Sequence, residues 1–200
     1  MRSQKEYWNS VADTKEFTTP MQSAVFCRYV NRDAAILDVG CGYGRVLNEL
    51  HGLGFSHLRG IDFSEQLIRR GKRQFPFLDL QVQEAETIDA PDGSVDAVLL
   101  CAVLTCIVSS QAQEALIREI RRVLRPGGLL YVNDFLLNSD ARNRERYRAW
   151  EKVYGTYGIF ELPEGAVLRH HDPNYIRDLL ADFKTLEMEQ VIYPTMNGHT

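Results

Sequence analysis

Apolar and polar positions alternate in blocks along this chain. The stretch "AAILDVG", residues 34–40, is a continuous apolar run into an aspartate and a glycine, as expected of a strand buried on both faces. "YGRVLNELHGLG" follows, with Val46, Leu47 and Leu50 at helical spacing and Gly52 or Gly54 as the stop. "LRGID" predicts a second strand, and Ser64 caps a helix over "EQLIRRGKRQF". "LDLQVQE" reads as a third strand, "VDAVLLCAV" as a fourth and "GLLYVNDFL" as a fifth. Between the last two, "QAQEALIREIRRVL" places Ala115, Ile117, Ile120, Val123 and Leu124 close to one side of a helix, which Pro126, Gly127 and Gly128 end. Strands alternating with amphipathic helices predict a parallel α/β sheet.

The rhythm changes after Phe135. "SDARNRERYRAWEKVYGTYG" predicts a polar, aromatic helix outside the regular alternation, and "GIFELPEGAVLRHHD" a hairpin turning at Pro163 to Gly165. "NYIRDLLADF" returns as a helix and "KTLEMEQVIY" as a strand. We read the chain as a single domain over residues 1–200, with residues 138–172 inserted over one end of the sheet. Residues 1–33 form a helical N-terminal segment whose Tyr7, Trp8 and Phe17 suit either a lid or packing on the sheet.

Composition narrows the class. Two hundred residues suffice to bury a core without disulfide or metal staples. The net charge of −4 offers no basic excess for a phosphate backbone, so no nucleic-acid partner is expected. The first residues are polar and no apolar run is long enough to cross a bilayer, so neither a signal peptide nor membrane attachment is expected. Cys27, Cys41, Cys101 and Cys106 show no CxxC or CxxH spacing, which argues against a metal site and for reduced thiols in a cytoplasmic protein.

The chemistry concentrates in "ILDVGCGYGR". Gly40, Gly42 and Gly44 follow the first strand, where an open α/β sheet binds its ligands. Lacking Cβ atoms, they let the backbone press against a ligand; a tight turn alone would need one glycine. The spacing is G-x-G-x-G, and Arg45 stands where the third glycine of a dinucleotide fingerprint would fall. Asp62 ends the second strand, where a carboxylate accepts hydrogen bonds from two adjacent ribose hydroxyls. Residues and spacing alone therefore point to an adenosine-like ligand, with capping of the following helix as the other use of Asp62.

Together, "ILDVGCGYGR", "GIDFS", "EAETIDAPDGSVDAVLLCAVL" and "RVLRPGGLLYV" resemble the class I S-adenosylmethionine-dependent methyltransferases, in particular those acting on small molecules, over about Ala34 to Asp134. The resemblance implies a Rossmann-like, doubly wound, mostly parallel sheet of the seven-strand type. Its last strand would be missing or supplied by a partner, since "TLEMEQVIYPTMNGHT" supplies one strand and a turn. The resemblance also implies S-adenosylmethionine as cofactor and S-adenosylhomocysteine as product. Gly40, Cys41, Gly42 and Gly44 would line the methionine and ribose, with Asp38 steadying the loop. Asp62 would take the ribose hydroxyls, Phe63 would lie against adenine, and Glu84 and Ala85 would face its edge. Cys101 and Ala102 would lie beside the sulfonium. The family often has Asp at the position of Glu84, and His just after the fourth strand, where this chain has Thr105 and Cys106.

The acceptor side rests on fewer signals. The candidates for a base are His170 and His171, which close the hairpin, and Asp134, which with Asn133 ends the fifth strand. Thr105 and Cys106, together with Tyr147, Trp150 and Tyr154 on one helical stripe, are the candidate acceptor-facing residues. Arg142, Arg144, Arg146 and Arg148 on the same helix are largely offset by acidic neighbours and read as a solvated face. There is no Pro-Pro-aromatic stretch after the fourth strand and no Pro-Cys pair, which sets aside nucleic-acid base methylation. Cys101 is no ligand for a hard cation, which sets aside the metal-dependent catechol type. A small organic acceptor remains, alongside a cofactor-binding scaffold or partner subunit without turnover. A nicotinamide-binding oxidoreductase is disfavoured by Arg45.

Overall fold

The computed structural model describes residues 4–84 and 87–192. Helices α1 (Gln4–Val11) and α2 (Ser23–Tyr29) lead into β1 (Ala35–Val39), α3 (Arg45–Gly52), β2 (His57–Asp62), α4 (Glu65–Gln74), β3 (Asp79–Val82) and β4 (Val95–Cys101). A short 3-10 turn, Leu104–Cys106, precedes α5 (Ser110–Val123) and β5 (Leu124–Asn133). The sheet order is β3-β2-β1-β4-β5 with every pair parallel. Strand order reverses between β1 and β4, so their carboxyl ends open a crevice.

Adjacent residues of the central strands face opposite layers. Ile36 and Leu99 join a core with Phe26 of α2, Leu47 and Leu50 of α3 and Ile68 of α4. Leu37 and Val98 join a second core with Leu116 and Ile120 of α5. This two-sided burial is what continuous apolar strands require. The helices start where short polar side chains satisfy free N–H groups. Ser64 Oγ accepts from Leu67 N in α4, and Ser109 Oγ accepts from Ala112 N in α5.

Two expectations are corrected. Pro126, Gly127 and Gly128 do not separate α5 from the fifth strand; α5 runs straight into β5 at Leu124. The ladder then slips, Val95 facing Leu124 but Ala97 facing Leu129, so these residues form a bulged corner within the strand. "KTLEMEQVIY" forms no strand over residues 184–192, and Tyr193 lies outside the described residues. Its alternating pattern suits a strand, but Glu187 is tied to Arg28 and to the Tyr29 hydroxyl of α2, each 2.7 Å away. Side chains, not a backbone ladder, hold it. The main sheet has five strands among the described residues, against the seven of the type the sequence resembles.

Beyond β5, α6 (Ala141–Tyr154) and an antiparallel hairpin of β6 (Ile159–Glu161) and β7 (Val167–Arg169) form a cap, followed by α7 (Pro173–Leu179). Asp140 accepts from Asn143 N at 3.0 Å to start α6, and Gly155 ends it in the left-handed region. The cap is anchored to the sheet layer by main-chain bonds, Leu137 N to His171 O and His171 N to Phe135 O, each 2.9 Å. Arg169 adds donors to Val108 O and Ser110 Oγ at 3.1 and 3.0 Å. At the other end, α1 packs on α4: Ser64 Oγ donates to Asn9 Oδ1 at 2.8 Å, and Arg70 donates to the carbonyls of Ala12 and Lys15.

Candidate active site

The carboxyl ends of β1 and β4 open into a cavity that runs from the glycine loop to the cap and on along β5 to residues 182–192, about 1300 Å³ in all. Gly40 and Cys41 donate their N–H groups to Ile61 O at 2.8 and 3.0 Å, which folds the loop back over β2. Gly40 and Gly42 have φ of 72° and 57°, and both line the cavity with Cys41. A Cβ on Gly40 would lie 2.6 Å from Val103 Cγ2, and one on Gly42 2.6 Å from Phe17 Cε2. The space that the missing side chains leave is thus taken up by Val103 and Phe17, two walls of the cavity. Gly44 does not line it and serves as the left-handed N-cap of α3.

Two carboxylates lie beneath the loop. Asp62 accepts from Gly42 N at 2.9 Å through Oδ2 and from Ser64 N at 2.8 Å through Oδ1. Burial pushes its pKa up to about 6, against the pull of these two N–H groups. One lone pair on each oxygen is left over. Asp38 is 1% exposed, its Oδ1 has no partner, and burial with the charge of Asp62 pushes it up to about 8. Phe63, Cys101 and Ala102 also line the cavity. Ala102 has φ of 57°, a strained conformation outside glycine, with its N–H held by Asn133 O at 2.8 Å. Glu84 does not line the cavity; it pairs with Lys5 Nζ at 2.7 Å on the surface. Ala85 lies outside the described residues.

On the cap side, Asp134 accepts from Thr105 N at 3.0 Å and Phe135 N at 2.8 Å through Oδ1. Its Oδ2 is buried without a partner, as is Thr105 Oγ1, and both residues line the cavity. Burial raises Asp134 to about 7, against the pull of the Phe135, Thr105, Leu104 and Val103 N–H groups. Cys106 also lines the cavity; burial pushes its thiol pKa up, so it stays protonated.

His170 lines the cavity, stacked on Phe135, with Nδ1 2.6 Å from the Tyr147 hydroxyl. Burial first, then the nearby Arg146 charge, lowers its pKa to about 3, so the ring is neutral. His171 does not line the cavity. Its Nδ1 is 3.3 Å from Phe135 O, its Nε2 is 2.9 Å from Gln113 Nε2, and its ring stacks on Tyr175. A proton on Nδ1 satisfies both contacts, which is the tautomer we assign. Burial lowers its pKa to about 4.

The aromatic stripe does not face the cavity. Tyr147 is fully buried against Phe160 and His170, Trp150 packs on Tyr154, and the Tyr154 hydroxyl donates to Glu161. None of the three lines the cavity. A cap of one helix and a short hairpin needs a core of its own, and the stripe supplies it. Residues that spacing did not single out take its place: Phe135, Phe160 and Arg146 line the cavity at the cap. Asn133 donates its side-chain amide to Pro20 O at 2.8 Å.

An open, doubly wound parallel sheet, with a glycine turn and a second-strand carboxylate on one crevice, defines an α/β domain of the nucleoside-cofactor-binding kind. Comparison with known proteins narrows this. Residues 37–132 match a family model described as a methyltransferase domain. A crystal structure of a SAM-dependent methyltransferase from Methanosarcina mazei superposes with a TM-score of 0.79 at 26% identity, covering 88% of this chain and 91% of that one. Methyltransferase-like protein 27 of Homo sapiens is 32% identical over 118 residues, 58% of this chain and 46% of the relative. An arsenite methyltransferase of Aquipseudomonas alcaligenes is 32% identical over 136 residues, 60% of this chain and 37% of the relative. Residues 37–132 thus form a methyltransferase domain, and the chain around them is similar to the class I S-adenosylmethionine-dependent methyltransferases, whose cofactor is S-adenosylmethionine. It spans half or less of the length of the curated relatives it matches.

Proposed function

We propose that this chain transfers a methyl group from S-adenosylmethionine to a small-molecule acceptor. The observation that carries the reading is the continuity of one cavity from Gly40, Gly42 and Asp62 to Asp134 and Thr105. A cavity that reaches both ends lets a nucleoside cofactor and an acceptor meet in one space. The arsenite methyltransferase among the relatives, named for a small acceptor, agrees with it.

The residues present fit the cofactor. Asp62 keeps acceptor capacity on both oxygens for two ribose hydroxyls, and the orphaned Asp38 Oδ1 adds an unused polar atom under the glycine loop. When bound, the cofactor supplies a methyl already activated for in-line displacement. The protein's task is then to hold the acceptor atom in line, which is worth about 7–11 kcal/mol. Asp134, raised to about 7, is suited to take a proton from an acceptor hydroxyl or amine at its free Oδ2, an effect of about 10²–10⁴-fold. Thr105 Oγ1 orients the same atom. His170, held neutral, walls the acceptor space, and Asp134 is the better base of the two.

The test is an acceptor screen with S-adenosylmethionine on the parent chain and on Asp134→Asn. The asparagine keeps the contacts to Thr105 N and Phe135 N, so S-adenosylhomocysteine should bind both proteins alike while turnover falls about 10²-fold or more. Equal turnover would remove Asp134 from the chemistry. Cofactor binding with no turnover on any small acceptor would favour the scaffold reading.

A further inference from the structure

The cap carries two cations, an exposed Arg142 and a partly buried Arg146, that form no ion pair among the described residues. Of the four arginines on α6, Arg142 and Arg146, one turn apart, line the cavity; Arg144 and Arg148 do not. Arg146 is partly buried, with its guanidinium 3.6 Å above the Phe160 ring and its Nε buried without a partner. Burial weighs against its charge, the neighbouring Tyr147 hydroxyl hydrogen-bonds to it, Arg142 opposes it and Asp140 favours it. Asp140 is committed to capping the helix through Asn143, and no carboxylate among the described residues lies in ion-pair contact with either arginine. Glu164, the carboxylate of the hairpin turn, acts on Tyr7 at the far wall. Holding a cation partly out of water beside a like charge costs free energy unless an anion meets it.

The cations are connected to the reaction end. Arg146 lies on Phe160, whose ring centroid is 4.9 Å from His170, which stacks at 5.6 Å on Phe135, the residue after Asp134. At that end, Asp134 Oδ2 and Thr105 Oγ1 are both buried and unpartnered. One wall of the cavity therefore carries, in order, guanidinium groups and flat rings, with orphaned oxygens just beneath its surface.

We propose that Arg142 and Arg146 bind the carboxylate of the acceptor, so that the methyl acceptor is a small carboxylic acid carrying a hydroxyl or amine. The proposal rests on the methyltransferase reading above. A carboxylate is favoured over a phosphate ester because the carboxylate of Asp140 sits at the start of α6, where it accepts from Asn143 N and would repel a dianion. What remains is the planar fork of a guanidinium, which matches a carboxylate edge to edge. The three rings between the two ends suit a flat or short apolar spacer.

The experiment uses the full chain saturated with S-adenosylhomocysteine. Hydroxybenzoates and aminobenzoates are compared with their own methyl esters, by melting temperature and by titration calorimetry. The acids should bind about tenfold or more tightly than the esters. Arg146→Gln and the Arg142→Gln/Arg146→Gln pair should abolish that preference, Arg146→Lys should keep part of it, and Arg144→Gln/Arg148→Gln should leave it intact. S-adenosylhomocysteine affinity, unchanged in all variants, reports that each is folded. Acids no better than esters on the parent chain would overturn the proposal, as would a preference that survives the double substitution. Failure of the parent chain to bind S-adenosylhomocysteine would instead sink the methyltransferase reading.

Discussion

The glycine loop and the cap meet on one cavity but are built by different means. Around the loop, structure is local and over-determined: three glycines with positive φ, an aspartate accepting two backbone N–H groups, and strands buried on both faces. The cap has a small core, one helix against a hairpin of two three-residue strands, pinned by the Tyr147–His170 contact and a few main-chain bonds. The difference teaches that the cofactor half is set by the chain's own sequence order. The half we assign to the acceptor is set by what the cap touches.

Substitution should separate the two halves, most strongly in the sheet layer. A Cβ at Gly71 of α4 would sit 2.5 Å from Leu80 Cδ1 and 2.7 Å from the Tyr43 carbonyl oxygen. A backbone atom cannot yield as a side-chain tip can. Gly71→Ala should cost about 3 kcal/mol in denaturant unfolding and weaken cofactor binding with it. A loss below about 1 kcal/mol would mean that the sheet layer is looser than described.

A middling effect is expected from pH. The Asp62 pKa, about 6 in the fold, lies above the unfolded value of about 3.9. The native state therefore holds a proton that the unfolded chain has lost between those values. Through Asp62, stability falls as pH rises across that window. Ribose hydroxyls need the ionised carboxylate, so S-adenosylhomocysteine affinity should drop about tenfold from about pH 8 to about pH 5, with a proton released on binding near pH 6. Asp62→Asn should bind weakly at both pH values. A parent affinity flat across this range would detach Asp62 from the ligand.

In the cap, Tyr147→Phe removes the hydroxyl that meets His170 Nδ1 at 2.6 Å and Asn138 N at 3.3 Å. It should cost about 1–2 kcal/mol and acceptor binding, and leave S-adenosylhomocysteine affinity unchanged. Equal damage to both ligands would erase the distinction between the halves. The smallest effect belongs to Lys5→Ala. Its pair with Glu84 is solvent-exposed, so neither melting temperature nor cofactor affinity should move measurably.

The legibility of the sequence follows the same division. The strands β1 and β4 could be read because burial on both faces leaves an apolar run, β2, β3 and β5 because they alternate with helical patterns, and Gly40, Gly42 and Asp62 because turn geometry and strand ends have fixed positions. The aromatic stripe of α6 misled because spacing reports which side of a helix is apolar, and here that side faces the cap's own hairpin. Arg146 was hidden for the converse reason: a cation on a polar helix reads as solvated until Phe160, distant in sequence from the glycine loop, is seen beneath it. The strand over residues 184–192 had the right alternation but lacks a ladder, and pairing is a property of two segments that one segment's pattern does not carry.

The most direct test is calorimetric titration of the full chain with S-adenosylhomocysteine, beside Asp62→Ala. The account predicts binding near one equivalent to the parent chain and a clear loss of affinity in the variant. No binding to the parent, or binding indifferent to the substitution, would contradict a cofactor seated over the glycine loop.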